Sequence, residues 1–544
     1  MGFSSYNDYL NKVSNGNQIG TASWQKTLGA TGAFTAGRWY NMAYLSGNPM
    51  LSRPGERLSN GQLMGSSVGW TLTSNWAYAN NTLICTAGAL TTASTTPATL
   101  TTSVKYGVEY TIAGVTTPGL TPSIGGTALT AQTTNGTYFT VVTSTNNSNG
   151  LIFTPASAAA AGTLSNISVV QIGSGFPLFG SDMGGLYVGT NVSTATKHLV
   201  FAGLMSAAAN FVPGTWKLVD MLMAYPVDMN ATGNALTTIG GNYGVAFQNG
   251  DGAWTYGAGW AYSSGTAVTY ATTPSTLTLP LANFSTASGA AAQNAPVVNY
   301  AYVFSFTIAS ASGSSTLTCG IGGTTSSALT VANGTYSIFV TAVNATGPIN
   351  LTTTGTGSFT LSNLTVTVAL PRYSSGAGVQ AILCWHSGSW ALAGNVTTAN
   401  AHNIQITYTN SAGTANRYTP VPVTGVATGP VMGHLDNSGA GGAVQGNFAP
   451  FIPLQSGDFG IQSVQTLTLS AAVATGAYAE LILCKELFTL PNVTANIATE
   501  RDLMNQLHSI PQIQDGANLQ WLFFPGAATA VSTSVYGWLD YAWG

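Results

Sequence analysis

The chain has 544 residues, of which 12 are Lys or Arg and 15 are Asp or Glu, so only 5% are charged, against about 25% in an ordinary soluble domain. Hydrophobic residues make up 45%, aromatics 10%, and the formal net charge is -3. This is the opposite of the high-charge, low-hydrophobicity mark of disorder, and it leaves too few cations to hold nucleic acid through its phosphates. No run of roughly 18 apolar residues occurs, so no membrane-spanning helix is expected. Few titratable groups leave little material for acid–base catalysis.

The length allows several domains, each with its own core. Glycine is abundant, at 65 residues, and long stretches are Thr, Ser, Ala and Asn. The surface must therefore consist largely of neutral hydroxyls, amides and backbone. Such chains are typical of β-rich proteins fixed in assemblies, because net charge opposes association.

Taken from the start, Met1 to Tyr6 shows no secretory signal, and Tyr6 stands where myristoylation requires Ser or Thr. The chain is expected to be made in a cytoplasm. Tyr6 to Val13 and Ala22 to Leu28 are expected as short helices. Arg38, Trp39, Tyr40, Arg53 and Arg57 then concentrate cations and aromatics, and are candidates for a docking arm; a solvated arm is the alternative. Residues 1–65 are read as the N-terminal segment of a host domain. Gly65-Ser66-Ser67-Val68-Gly69 has the letters of a nucleophile elbow, but a strand follows it where the elbow needs a helix.

An internal repeat comes next. Trp70 and Trp76-Ala77-Tyr78 return as Trp254 and Trp260-Ala261-Tyr262, at an offset of 184. Ile124-Gly125-Gly126-Thr127 returns as Ile321-Gly322-Gly323-Thr324, Asn135-Gly136-Thr137-Tyr138 as Asn333-Gly334-Thr335-Tyr336, and Leu164-Ser165-Asn166-Ile167 as Leu361-Ser362-Asn363-Leu364, at offsets of 197 or 198. Order is kept and the offset jumps once, which an insertion near Ala282 to Pro296 explains. Gly-Gly and Asn-Gly pairs between short alternating runs favour tight turns between antiparallel strands, and such strands at regular spacing read as a β-sandwich. The modules are placed at 66–171 and 250–369.

These repeated motifs resemble the jelly-roll modules of tailed-phage structural proteins, which are themselves similar to carbohydrate-binding modules. The remaining segments, 172–249 and 370–544, complete the host, read as a further antiparallel β-sandwich with one helix near 498–508, where Thr499 could cap and Pro511 could stop it. Asn191 to His198 resembles Asn395 to His402, which suggests an old duplication within the host. Gly37-Arg38-Trp39-Tyr40, Thr194 to His198, Leu370-Pro371-Arg372-Tyr373 with Gly376 to Ala381, Glu500 to Leu507 and Tyr536 to Gly544 resemble tailed-phage structural proteins. That resemblance implies a virion component and supplies no catalytic residue. The expected fold class is mainly β: a multi-domain antiparallel β-sandwich and jelly-roll architecture with a few short helices.

Chemistry is sparse. The five histidines show no metal-ligand spacing, and His434-Leu435-Asp436 precedes a glycine-rich loop. Cys85, Cys319, Cys384 and Cys484 read as buried thiols, with a Cys384–Cys484 bridge as the alternative. Trp70, Trp76, Tyr78, Trp254, Trp260 and Tyr262 could stack on sugars; filling the module cores is the simpler role. The expectation is a non-enzymatic virion protein without cofactor or metal, a capsid decoration or head fibre. Its partners would be other capsid or tail proteins and further copies of itself, with neither nucleic acid nor membrane among them. A tail adhesin for bacterial surface glycans is the alternative.

Overall fold

The computed structural model describes residues 19–27, 37, 39–42, 55–58, 60–61, 63, 65–95, 100, 102, 104–146, 149–173, 175–180, 182–186, 197–206, 213–229, 233–237, 254–264, 267–280, 296, 300–385, 403–414, 416–419, 423–424, 435–436, 450–470, 478–494, 497–503, 510–526 and 534–543. The fold is almost wholly antiparallel β-sheet.

The first described elements are β1 (Ile19–Thr27) and β2 (Tyr40–Asn41). Ala22 to Thr27 is therefore strand where local composition favoured helix. The reason is a long-range ladder: β1 pairs residue for residue with the C-terminal strand, from Ile19 opposite Ala542 to Thr27 opposite Ser534. The helix expected at Tyr6 to Val13 lies outside the described residues.

The first module follows with β3 (Trp70–Leu72), β4 (Trp76–Ala79), β5 (Thr82–Cys85), β6 (Ala93–Thr95), β7 (Lys105–Ala113), β8 (Leu120–Ile124), β9 (Thr127–Ala128), β10 (Gly136–Thr143), β11 (Leu151–Pro155) and β12 (Gly162–Gln171). They form two five-stranded sheets, ordered β10-β7-β12-β5-β4 and β3-β6-β11-β8-β9. Alternation does the sorting: Tyr106, Val108, Tyr110 and Ile112 of β7 meet Leu120, Ile124, Leu151 and Phe153 in one core.

The host then contributes β13 (Phe176–Pro177), β14 (Lys197–Ser206), β15 (Gly214–Asp228) and β16 (Gly233–Thr237). The second module has β17 (Thr255–Tyr256), β18 (Trp260–Ser264), β19 (Ala267–Ala271), β20 (Thr276–Leu279), β21 (Ala301–Ser312), β22 (Ser315–Ile321), β23 (Thr324–Thr325), β24 (Leu329–Thr330), β25 (Gly334–Thr341), β26 (Ile349–Gly355) and β27 (Ser358–Val368). Its sheets run β25-β21-β27-β19-β18 and β17-β20-β26-β22-β23, with β24 also on β22. Strand for strand this is the order of the first module. The connection from Thr95 to Lys105 becomes the longer one from Leu279 to Ala301, which is where the sequence offset jumps.

The repeated motifs have repeated physical causes. Gly125 and Gly126, like Gly322 and Gly323, all take positive φ, as a tight primed hairpin turn requires. Asn166 and Asn363 sit at φ 51° and 54° inside the β-bulges of β12 and β27, a left-handed conformation that Asn tolerates better than most residues. Asn135 and Asn333 each accept a backbone amide across the module, from Val115 at 3.0 Å and Ala311 at 2.8 Å.

The chain returns to the host with β28 (Val379–Trp385), β29 (Asn403–Asn410), β30 (Arg417–Tyr418), β31 (Val423–Thr424), β32 (Leu435–Asp436), β33 (Ile461–Leu469), β34 (Tyr478–Asn492), β35 (Thr499–Asp502), β36 (Gln512–Ile513), β37 (Leu519–Pro525) and β38 (Ser534–Trp543). Among the described residues the host has three sheets: β1-β38-β14-β35 with β36, β2-β37-β15-β34-β28-β32 with β13, and β16-β33-β29-β30 with β31. The first two draw on chain before, between and after the modules. β35 corrects the helix expected near 498–508: Thr499 to Asp502 pair with Leu204 to Phe201 on β14, whose open edge outcompetes the helical capping pattern. Leu503 is helical and buried, and 504–508 lie outside the described residues.

The long strands β15 and β34 carry the host core. Trp216 and Leu218 pack with Leu199, Leu539 and Phe523, Trp216 stacking on Phe523 at 4.1 Å. Met223, Tyr225 and Val227 share a cluster with Ile404, Tyr408 and Leu467 that continues into the second module, whereas the first module's core is separate. All four cysteines are buried free thiols. Cys384 lies opposite Glu480, and Gln380 opposite Cys484, so the two strands are not in register for a Cys384–Cys484 bridge.

Candidate interaction surfaces of the modules

Strand alternation puts Trp76 and Tyr78 on one face of β4, with Ala77 on the other. That face is the inner one. Trp70, Trp76, Trp254 and Trp260 are 9%, 6%, 5% and 5% exposed, and they pack in the module cores. Trp70 and Trp76 donate their indole N–H groups to the carbonyls of Asn60 (3.3 Å) and Thr91 (3.2 Å). Trp260 meets Phe359 edge-on at 5.7 Å. Tyr78 is half-buried, its hydroxyl 3.1 Å from the carbonyl oxygen of Leu63, and Tyr262 packs against its core. The six candidates for sugar stacking are thus core or core-edge groups, and none of the four indoles offers an open ring face.

The docking candidates are corrected in the same way. Arg38 and Arg53 lie outside the described residues. Trp39 and Tyr40 are 0% and 1% exposed: Tyr40 is in β2, paired with Phe523, and the Trp39 ring lies 5.2 Å from Phe524. Arg57 is part of a strap along β12, its amide donating to Val169 at 2.7 Å. Next to it, Glu56 accepts the Ser168 hydroxyl (2.5 Å) and the Val169 amide (2.9 Å). These backbone and carboxylate bonds tie the described parts of the N-terminal segment to the host sheet and to the first module, so they are not a free arm. Lys105 adds a 2.6 Å ion pair to Asp228 at the end of β15.

What the modules present outward is hydroxyl. Cross-strand pairs stand at matching places: Thr111 with Thr137 at 3.0 Å, and Thr307 with Thr335 at 3.2 Å. The second module adds Ser305–Ser337 at 3.4 Å, and on its other sheet Thr276–Thr352 at 3.0 Å and Thr316–Thr354 at 2.6 Å. Phe339 stands among the first of these, 41% exposed. The sequence carries a further signal that motifs do not express: between Asp251 and Arg372 there is no Asp, Glu, Lys, Arg or His, and within 66–171 only Lys105 and Glu109 are charged.

The ionisable groups cluster in the host. Asp458 accepts from Tyr408 (2.6 Å), Asn410 (2.7 Å) and Arg417 (3.0 Å). Burial alone would raise its pKa, but these donors outweigh burial and hold the carboxyl down at about 2. Arg372 and Asp220 form a buried pair, with side chains 3% and 0% exposed. Glu480 is wholly buried in β34, and burial pushes its carboxyl up to about 8. Burial also lowers the pKa of His198; the other four histidines lie outside the described residues. Among the described residues no group of three or more His, Cys, Asp or Glu side chains is placed to hold a metal.

These features define a mainly β protein built from several sandwiches, two of them nearly without charge. No protein-family model matches the chain, and comparison with curated proteins gives no match. Among solved structures it is similar to the N-terminal tandem CBM22 domain of Paenibacillus barcinonensis Xyn10C, at 10% identity over 58% of this chain and 98% of that one, with a TM-score of 0.19. It is also similar to a structure of infectious bursal disease virus, Gt strain, at 11% identity over 97% of this chain and 82% of that one, with a TM-score of 0.10.

Proposed function

We propose that this chain is a non-enzymatic structural component of a tailed-phage particle, most simply a capsid-associated decoration or head-fibre protein. The host domain holds to other virion proteins, and the two jelly-roll modules are displayed. The observation that carries this reading is the layout. Two sandwiches of one strand order, almost free of charge, are set into a host two of whose three described sheets use chain from before, between and after them. The resemblance of the host motifs to phage structural proteins supports the particle. Contacts of such a protein would be neutral and shape-matched, with hydrogen bonds from Thr, Asn and backbone, and identical copies would assemble together. The chain is made in the bacterial cytoplasm and ends in the virion. The reading assigns no catalytic residue and no cofactor.

Gold-tagged antibody on purified particles tests this. Label spread over the head is expected. Label confined to the tail would replace the decoration role with adhesion, and no label on intact particles that contain the protein would remove the display. One observation favours the adhesion reading, in which bacterial surface glycans are the ligand: Phe339 is partly exposed beside neutral hydroxyl pairs, which suits the face of a sugar ring. In that case a glycan array would show binding that Phe339→Ala abolishes.

A further inference from the structure

One sheet of each module ends in a long strand without guards. β10 and β25 are the terminal strands of their sheets, each eight residues long, with sequences GTYFTVVT and GTYSIFVT. The other module edges are short: β4, β3 and β9 have 4, 3 and 2 residues, and β18, β17 and β23 have 5, 2 and 2. An edge strand presents unpaired amides and carbonyls, and proteins blunt it with charge, proline, a bulge or shortness. β10 and β25 contain no charge and no proline, and both pair with their inner neighbours without a register shift. The host treats its edges differently. β1, nine residues long, carries Lys26, and β35 consists of Thr499, Glu500, Arg501 and Asp502.

Tyr138 and Val142 pack inward on the core of the first module, so Thr137, Phe139 and Val141 lie on the opposite face. In β25 Tyr336, Ile338 and Val340 belong to the core cluster, which leaves Thr335, Ser337, Phe339 and Thr341 on the open face. At one end the Thr127 hydroxyl covers the carbonyl of Thr143 at 3.0 Å; the rest of β10 has no strand on its outer side among the described residues.

We propose that β10 and β25 are homotypic contacts, each pairing edge to edge and antiparallel with the same strand of a second copy. The occupant follows from the charge. Identical strands bearing cations or carboxylates repel when placed opposite each other, whereas these have nothing to repel. Beside β25 the hydroxyl face carries no charge, and beside β10 the nearest charges are Glu109 and Lys105 on β7, opposite Phe139 and Thr143, so the β25 contact is insensitive to salt and the β10 contact only weakly sensitive. Antiparallel self-pairing is an isologous, two-fold contact. Two such edges per chain let each copy reach two neighbours, as a decorated surface needs. The pairing rests on the proposed particle role only for its biological setting.

Sedimentation of the purified full chain tests it. The wild type is expected to associate as concentration rises, with little change between low and high salt. Phe139→Lys with Phe339→Lys should weaken association at least about tenfold, since like charges then meet across the new pair. Phe139→Ser with Phe339→Ser, which keeps a neutral edge, should associate like the wild type. A monomeric wild type, undiminished association of the lysine variant, or loss of association in the serine variant would each overturn the proposal. If the lysine variant fails a thermal-melt check of folding, hydrogen exchange on the wild type decides. Amides in 136–142 and 334–341 must gain protection with concentration, and no gain overturns the pairing. A chain that is monomeric in solution yet labelled on particles sinks this contact and leaves the display role standing. Association without label does the reverse.

Discussion

Arg372→Ala is expected to cost about 3–5 kcal/mol of stability, the typical loss when one partner of a buried ion pair is removed. The guanidinium occupies a break in the central host sheet. Along one side of β15, β37 pairs as far as Asp220 opposite Leu519, and β13 takes over at Met223. Between them Arg372 donates to Asp220 through Nε (2.9 Å) and Nη2 (2.7 Å), to the Met221 carbonyl (2.8 Å) and to the Leu178 carbonyl (2.9 Å). Asn518 completes the site, its amide donating to Asp220 at 3.0 Å. Alanine would leave a buried carboxylate and two backbone carbonyls without this donor. Arg372→Met with Asp220→Asn, which leaves no charge behind, should recover part of the loss. Denaturant melts of the wild type and the two variants check this, and a loss below about 1 kcal/mol in Arg372→Ala, the range of an exposed pair, would contradict a buried pair that fills the break.

The second large effect is a pH dependence centred on Glu480. Its carboxyl is pushed from 4.5 to about 8 by burial in the strand, opposite Cys384 on one side and Pro226 on the other. A raised carboxyl pKa makes the folded state bind the proton more tightly than the unfolded one. Stability is therefore unaffected below the unfolded pKa, falls as pH rises from about 4.5 towards about 8, and levels off beyond, with a total loss of up to about 5 kcal/mol. Glu480→Gln removes the titration. The variant should gain on the wild type steadily between pH 5 and pH 8 in urea melts, and equal slopes for the two proteins across that range would contradict the burial of an ionisable carboxyl.

The modules were legible because their signals are local. A Gly-Gly turn at positive φ, an Asn in a bulge and an Asn receiving a cross-module amide each demand a particular residue at a particular place, so a duplicated structure shows as duplicated letters. The host was less legible because its strands are defined by distant partners. Ala22 to Thr27 has a helical composition locally, yet its ladder partner is the far C-terminus. Thr499 to Asp502 mimics a capped first turn, yet β14 offers it a backbone edge. The aromatic candidates illustrate a different limit. Alternation places Trp76 and Tyr78 on one face, but the letters alone do not say whether that face is inner or outer. The charge map was present in the sequence throughout. Its meaning needed the sheet order, because only that order shows which uncharged strands end a sheet and which are covered.

The most direct test of the central claim, that the host anchors and the modules are displayed, is incorporation into particles of a chain in which residues 254–369 are replaced by a short Gly/Ser linker. The shortened protein, shown by its melt to be folded, should be retained on purified particles at the wild-type copy number. A folded shortened chain that is absent from particles would contradict it and assign the anchoring to the second module.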